Sequence, residues 1–563
     1  MRLPLPMLAL LVSATALSTG IGPGIARAQG VVGTGNPAPI EPDPSHPDEA
    51  PCRVPLFTGA TFGADAVGFT YQPPASCPGP WAKVILSTDV SVQAGRQFDR
   101  TASIWLAGVN LLFGTTAEPR AALAPSWHVE RDVTDDTALL RSSQPGHVLI
   151  ANYQSSVYTS TITASAALLF YPATRRYPAP RTPDLVVPLQ SDPAGGTTDL
   201  ADGTLALSRT GTLPTNIEGG YLETYLQSQG NDEFWYTCVP DALADELQTC
   251  GGGNFREGQV SIDGVRAGVA PVYPWIYTGG IDPYLWQPIP GVQTLRFEPY
   301  RVELTPFAGA MDDGRPHTIS LSVAGAHDRF SVTGTLYLFL DKNSRSVRGA
   351  VVRNTLSAPA PTTSNTVTTA GGNITGGVST RSTHDYEVSG WALTSHGLVS
   401  TTVRQSNRFS NEQQFSITDT SYDQRIRQRT DTVATVTTAG AGGLSTSTRS
   451  TSYPLDLRYA SASNADGSSS QTTSVAQSLR RDALDTRNGV PVAASALLER
   501  VSPTDTLAFD ASGALSSHAG SSDARFVLLD SAAGCIDRHA TATNSLLTAF
   551  TSGTRCDPAA LAP

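Results

Sequence analysis

The sequence predicts an all-β protein, with two antiparallel β domains of sandwich size in succession and a β-rich C-terminal domain after them. Three observations carry this. Short β-branched and aromatic runs recur along the chain, each bounded by Gly, Pro or Asp. Period-2 alternation dominates, and helical periodicity is confined to short stretches such as DALADELQ from Asp241. The length of 563 residues is enough for three or four domains at about 150 residues each.

At the N-terminus, Arg2, the apolar run Leu3 to Leu17, and Ala26-Arg27-Ala28 ahead of Gln29 make the three parts of a secretory signal peptide over residues 1–28. Cleavage near Ala28/Gln29 and a secreted or periplasmic location are expected. The cleavage site has no lipid-accepting cysteine, and no later segment approaches the roughly 20 apolar residues of a membrane helix. Residues 29–50 are Pro-rich and read as an extended linker, with order expected from about Cys52.

WAKVILSTDV, TASIWLAGVNLLF, HVLIANYQ and ITASAALLFY predict strands of a first β domain over 51–190. The proline-rich passage YPATRRYPAPRTPDLVVPL, Tyr171 to Leu189, marks its boundary. GYLETYLQSQ, NFREGQVSIDG, YRVELTPF, HTISLSVAG and FSVTGTLYLFLD predict a second domain over 191–350. Beyond it the composition turns to Ser, Thr and Gly. Scarce bulky apolar residues favour disorder there, whereas Phe409, Phe415, Tyr422, Leu455, Leu457 and Tyr459 fall in alternating contexts. The alternation decides for a folded, hydrophilic β domain over 351–563.

The six cysteines form three local pairs, Cys52 with Cys77, Cys238 with Cys250, and Cys535 with Cys556. An even count in an oxidising compartment predicts disulfides. A net charge of -11, with Lys83 and Lys342 as the lysines, excludes the basic footprint of a nucleic-acid binder. The chain has no G-x-S-x-G elbow, H-E-x-x-H, P-loop or Rossmann fingerprint. His128, His147, His317 and His327 are scattered and read as structural, so no metal and no cofactor are expected.

Carboxylates and aromatics remain. Trp235, Tyr236, Tyr273, Trp275, Tyr277, Tyr284 and Trp286 crowd one stretch interrupted by Gly-Gly and Pro. Aromatic faces stack on sugar rings, so this stretch predicts a glycan surface. In GRQFDRTASIWLAGV, Asp99 and Arg100 stand at the mouth of a strand. Alternation puts Asp99 with Thr101, Ser103 and Trp105, opposite the apolar face of Ala102, Ile104 and Leu106. Glu257 likewise shares a face with Phe255, Gln259 and Ser261, opposite Val260 and Ile262.

GRQFDRTASIWLAGV, TTAEP, HVERDVT, EFWYTCVP, GGGNFREGQVSIDG and YPWIYTGGIDPYLWQPI, in this order, resemble the peptide-N-glycosidase A family, the peptide-N4-(N-acetyl-β-glucosaminyl)asparagine amidases. The similarity runs from about residue 50 to 345 and extends, more distantly, to bacterial PNGase F. It implies two adjacent eight-stranded antiparallel jelly rolls and hydrolysis of the amide joining a glycan to asparagine. It implies Asp99 as the central carboxylate with Arg100 beside it. The second essential glutamate of PNGase F matches Gly252 here, and a third carboxylate matches near Asn152. Glu257 is therefore the expected second catalytic carboxylate, with Glu118 and Glu233 as other candidates. Glu118, Trp235, Tyr236, Arg256, Tyr277, Asp282 and Trp286 are the expected substrate-binding residues. The implied partner is an N-glycopeptide or N-glycoprotein, handled by a monomer without a membrane span; the alternatives are a carbohydrate-binding or adhesion protein with jelly-roll domains, or a glycosidase or lyase.

Overall fold

The computed structural model describes residues 30–118, 120–557 and Leu561; the signal peptide and its cleavage site lie outside the described residues. Eight strands make the first unit: β1 (Cys52–Thr61), β2 (Val67–Tyr71), β3 (Trp81–Val92), β4 (Thr101–Leu106), β5 (Val109–Thr115), β6 (Ser126–Asp132), β7 (Gln144–Ile150) and β8 (Ile162–Pro172). They form two four-stranded antiparallel sheets in the orders β1-β8-β3-β6 and β2-β7-β4-β5. Between them lies a core that includes Leu86, Ile104, Leu106, Leu111, Leu168 and Phe170.

The second unit holds β9 (Leu185–Pro188), β10 (Thr198–Leu200), β11 (Leu207–Thr212), β12 (Ile217–Gln229), β13 (Glu257–Ile262), β14 (Val265–Pro271), β15 (Tyr300–Glu303), β16 (Pro316–Ala324) and β17 (Arg329–Leu340). One sheet runs β10-β17-β12-β15 with β9 also on β17; the other runs β11-β16-β13-β14. Asp263 (φ 51°) and Gly264 (φ 78°) turn β13 into β14. This is the Asp-Gly pairing that a two-residue hairpin with positive φ favours. The helix read at DALADELQ shrinks to Asp241–Ala244.

From Arg348 onward the chain folds into one 12-stranded antiparallel sheet, with strands as long as the 22 residues of Asn373–Thr394 and Gly397–Thr418. Its inner face alternates in burial and shares one core with the second unit, from Leu222 and Val260 to Tyr453, Leu455 and Val501. Much of that face is amide. Asn411 donates to Tyr236 O (2.8 Å), Gln413 to Cys238 O (2.8 Å), Gln424 to Thr237 O (3.0 Å) and Gln405 to Val269 O (3.1 Å). A sheet poor in large apolar residues is held because its buried polar groups find backbone partners.

Order begins earlier than the sequence suggests. Residues 30–50 are extended but packed: Ala38 and Ile40 are buried, Ala38 N–H donates to Pro288 O (2.9 Å), and Gly33 N–H donates to Leu547 O (2.8 Å). Prolines fix the path of this strap, and contacts from two other parts of the chain hold it. Disulfides join Cys52–Cys77, Cys238–Cys250 and Cys535–Cys556. Among the described residues no helix is long and apolar enough to cross a membrane.

Candidate active site

The site grows from the open end of one hairpin. β4 and β5 pair from Thr101↔Thr115 to Leu106↔Val109 and are closed by Ala107 (φ 50°) and Gly108 (φ 83°). This register brings the residues before β4 beside those after β5. Arg100 N–H donates to Thr116 Oγ1 (2.9 Å) and Thr116 N–H to Arg100 O (2.8 Å). Asp99 and Glu118 thereby become neighbours, with Asp99 N–H 3.4 Å from Glu118 Oε2.

The loop Tyr277 to Trp286 crosses this end and leaves Gly279 against both carboxylates. A β-carbon at Gly279 would stand 2.3 Å from Asp99 Oδ1 and 2.5 Å from Glu118 Oε2. Glycine is required here for space, and the two oxygens come within about 5 Å of each other. The loop is fastened on every side. Thr278 donates to Thr116 O, Tyr277 O–H to Ser228 O (2.7 Å), and Trp286 Nε1–H to Gly280 O (2.9 Å). Asp282 caps the turn Pro283–Trp286 by accepting from Tyr284 N–H (3.0 Å).

A third carboxylate, Glu233, arrives from the turn after β12. Its neighbour Asp232 anchors that turn: Oδ1 accepts from Arg256 Nη2 (2.6 Å) and Nε (3.0 Å), while Oδ2 accepts the backbone N–H groups of His327, Asp328 and Arg329. Both side chains of this ion pair are buried. Arg256→Ala should therefore lower unfolding free energy by about 3–5 kcal/mol, because it strands a buried carboxylate. Urea denaturation of the variant measures this.

Burial raises the pKa of Asp99, and the Gly279 amide and the Arg100 charge oppose that rise. Glu118 and Glu233 are each pushed to about 7, by burial first and by the charge of Asp99 second. Both Asp99 and Glu118 have a backbone donor and a nearby guanidinium, but Glu118 and Glu233 titrate against the charge of Asp99 whereas burial alone raises Asp99, so the negative charge settles on Asp99 and the two glutamates keep protons longer. That division supplies one base and one acid in the same site.

Arg100 leaves strand alternation because β4 starts one residue later. Its guanidinium lies over the rings of Phe98 (5.7 Å) and Tyr158 (6.0 Å), and its Nε–H is buried without a partner.

Other expected residues stand elsewhere. Glu257 is buried, accepts from Gln259 Nε2 (2.7 Å) and pairs with His384 Nδ1 (2.8 Å) of the C-terminal sheet, so it is not joined to Asp99. Strand parity correctly turns it off the core of its own unit, but the C-terminal sheet covers that face. The outward face of β4 is covered too, with Gly195 closing on Trp105. Arg256 serves the buried ion pair rather than the surface. Trp235, Tyr236, Tyr277 and Trp286 are at most 4% exposed and brace the loops from within, and Asp282 is 1% exposed. The aromatic stretch is thus an internal scaffold.

The accessible rings come from elsewhere. Phe98 packs against Tyr158 in a tilted pair (4.4 Å between centroids), and Tyr153 is 62% exposed. Gln97 ties these loops: its Nε2 donates to Asn152 Oδ1 (2.7 Å) and Ser160 O (3.1 Å), and its Oε1 accepts from Phe98 N–H (3.0 Å). Asn152 therefore holds the Asp99 loop through Gln97. The signal in the sequence is ANYQSSVYTS, where two rings sit in a mostly polar run without the alternating apolar residues of a buried strand.

The sequence profile described as peptide N-acetyl-β-D-glucosaminyl asparaginase amidase A matches residues 41–357, more than half of the chain. A peptide-N4-(N-acetyl-β-glucosaminyl)asparagine amidase A from Prunus dulcis is 31% identical over 369 residues, which are 62% of this chain and 64% of that protein. The chain thus matches less than two thirds of that relative's length. Among solved structures, PNGase F, a glycosylasparaginase from Flavobacterium meningosepticum, is similar at 15% identity over 52% of this chain and 96% of its own, with a TM-score of 0.34. PNGF-II is similar at 12% identity over 52% and 65%, also with a TM-score of 0.34. Asp99, Glu118, Glu233 and Gly279 all fall within the matched segment, and the chain belongs to the peptide N-acetyl-β-D-glucosaminyl asparaginase amidase A family.

Proposed function

We propose that the protein is an exported amidase that hydrolyses the β-aspartylglucosaminyl amide of N-glycopeptides and N-glycoproteins, acting as a monomer. Family membership supports the reaction class. The observation that carries the reading is the close approach of Asp99 and Glu118 at Gly279, one carboxyl supported as an anion and the other pushed to about 7.

In this reading Asp99 accepts a proton from water as the water oxygen attacks the asparagine side-chain carbonyl. Arg100, with its unpaired Nε–H, supplies a donor for the developing oxyanion. Glu118 then protonates the amide nitrogen as the C–N bond breaks. The products are aspartate in the peptide and a glycosylamine, which later loses ammonia. Phe98 and Tyr158 offer the ring faces for the sugar at the rim.

We read residues 51–190 and 191–350 as jelly-roll domains and 351–563 as a third domain. The first two follow one scheme: β1-β8-β3-β6 with β2-β7-β4-β5, and β10-β17-β12-β15 with β11-β16-β13-β14. This is the order in which an eight-stranded jelly roll pairs its strands across two sheets.

Weighing the peptide after incubation with an N-glycopeptide tests the function. Conversion of asparagine to aspartate is the expected result. A sugar left on asparagine would mean a glycosidase, and an unchanged peptide would mean a binder.

A further inference from the structure

Away from this site, a second group of polar side chains meets where the N-terminal strap crosses β6. A cavity of about 20 Å³ is bounded by Glu41 and Asp43 of the strap, His128 and Glu130 of β6, Arg296, and Glu499 of the C-terminal sheet. The volume suits one ion or one water. One ligand atom each from Asp43, His128 and Glu130 lie within 4.8 Å of one another. His128 Nε2 stands 3.2 Å from Glu130 Oε1. Two ligands bound at 2.0–2.1 Å in a tetrahedral shell would be about 3.3 Å apart.

Two further observations point to a ligand. His128 Nδ1 is 2.7 Å from Asp89 Oδ1, the contact that fixes the proton on one ring nitrogen and turns the other toward a metal. Glu499, 2% exposed, shares a hydrogen bond with the Glu41 carboxyl, receives none at Oε2 from a neighbouring N–H or hydroxyl, and lines the same cavity. Around the cavity Glu41, Asp43, Asp89, Glu130, Glu298 and Glu499 gather against Arg296, Arg481 and Arg538, so acidic side chains outnumber basic ones.

We propose that a divalent cation of the Zn²⁺ type binds here, with Asp43, His128 Nε2 and Glu130 as its protein ligands and Asp89 orienting the imidazole. A nitrogen donor with two carboxylates suits such an ion, and three protein ligands leave a position for water. The ion would pin the strap to β6, which lies in the sheet opposite the hairpin that carries Asp99.

The test uses the full chain without a polyhistidine tag, stripped by a chelator and titrated with Zn²⁺ or Co²⁺ alone. The expected result is one retained ion per chain, a saturable rise in Tm, and the visible absorption of Co²⁺ in a protein site. His128→Gln should abolish retention, and Asp89→Asn should weaken it by about 10–100-fold. Failure to retain a stoichiometric ion, a Co²⁺ spectrum equal to that of the free aquo ion, or equal uptake by His128→Gln would overturn the proposal. Should His128→Gln not fold, the wild-type Co²⁺ spectrum decides by itself.

Discussion

Asp99→Asn should lower kcat on an N-glycopeptide by about 10²–10⁴-fold, the usual cost of removing a general base, and leave KM nearly unchanged. The replacement keeps the shape, and its carbonyl oxygen can still accept from the Gly279 amide that now serves the carboxylate. It cannot take a proton from water. The split between kcat and KM matters, because a merely structural loss at the hairpin mouth would disturb both. Turnover near that of the unsubstituted enzyme would remove Asp99 from the reaction.

Glu118→Gln should cost a comparable factor in kcat and change the pH profile as well. With Glu118 at about 7, its carboxyl is protonated below that pH and ionised above it. The rate should therefore fall as pH rises through about 7, where the acid is lost. In Glu118→Gln no proton can be delivered at any pH, so this alkaline limb should vanish along with most of the rate. Glu233 is also raised to about 7, which makes the comparison decisive. An alkaline limb that survives in Glu118→Gln and disappears in Glu233→Gln would transfer the acid role to Glu233. Asp99→Asn offers an independent check by carboxyl NMR. Removing the Asp99 charge should move Glu118 and Glu233 down toward the ordinary value of 4.5, because that charge is the second cause of their rise.

Local chemistry was legible in the sequence to the extent that it depends on near neighbours. The extended run TASIWLAGVNLLF could be read as β structure although its turn at Ala107-Gly108 was not, the cysteine pairs from their spacing, and the C-terminal strands from period-2 alternation alone. Asp99 came from the family string, and the hairpin register explains why Glu118 belongs beside it. Glu257 shows the limit. Strand parity tells which way a side chain turns from its own core, but not that His384, more than a hundred residues later, will be waiting there. The aromatic stretch fails for a related reason: ring density marks a segment that must be packed or must bind. Trp235 and Tyr236 are packed because the C-terminal sheet arrives over them. The strap was misread because proline content reports stiffness, whereas its order comes from the surfaces it lies on.

The amide face of the C-terminal sheet bears on how much of the chain the candidate site needs. The family-matched segment ends at residue 357, yet the carbonyls of Tyr236, Thr237 and Cys238 are satisfied by Asn411, Gln424 and Gln413 beyond it. Those carbonyls lie on the chain that leads directly out of the Glu233 turn. A segment trimmed to the matched residues would trade these bonds for water and uncover Trp235. The folded unit around the Glu233 turn is thus larger than the segment that the family profile matches. Any transplant of the site into another scaffold must carry a replacement for that distant row of amides.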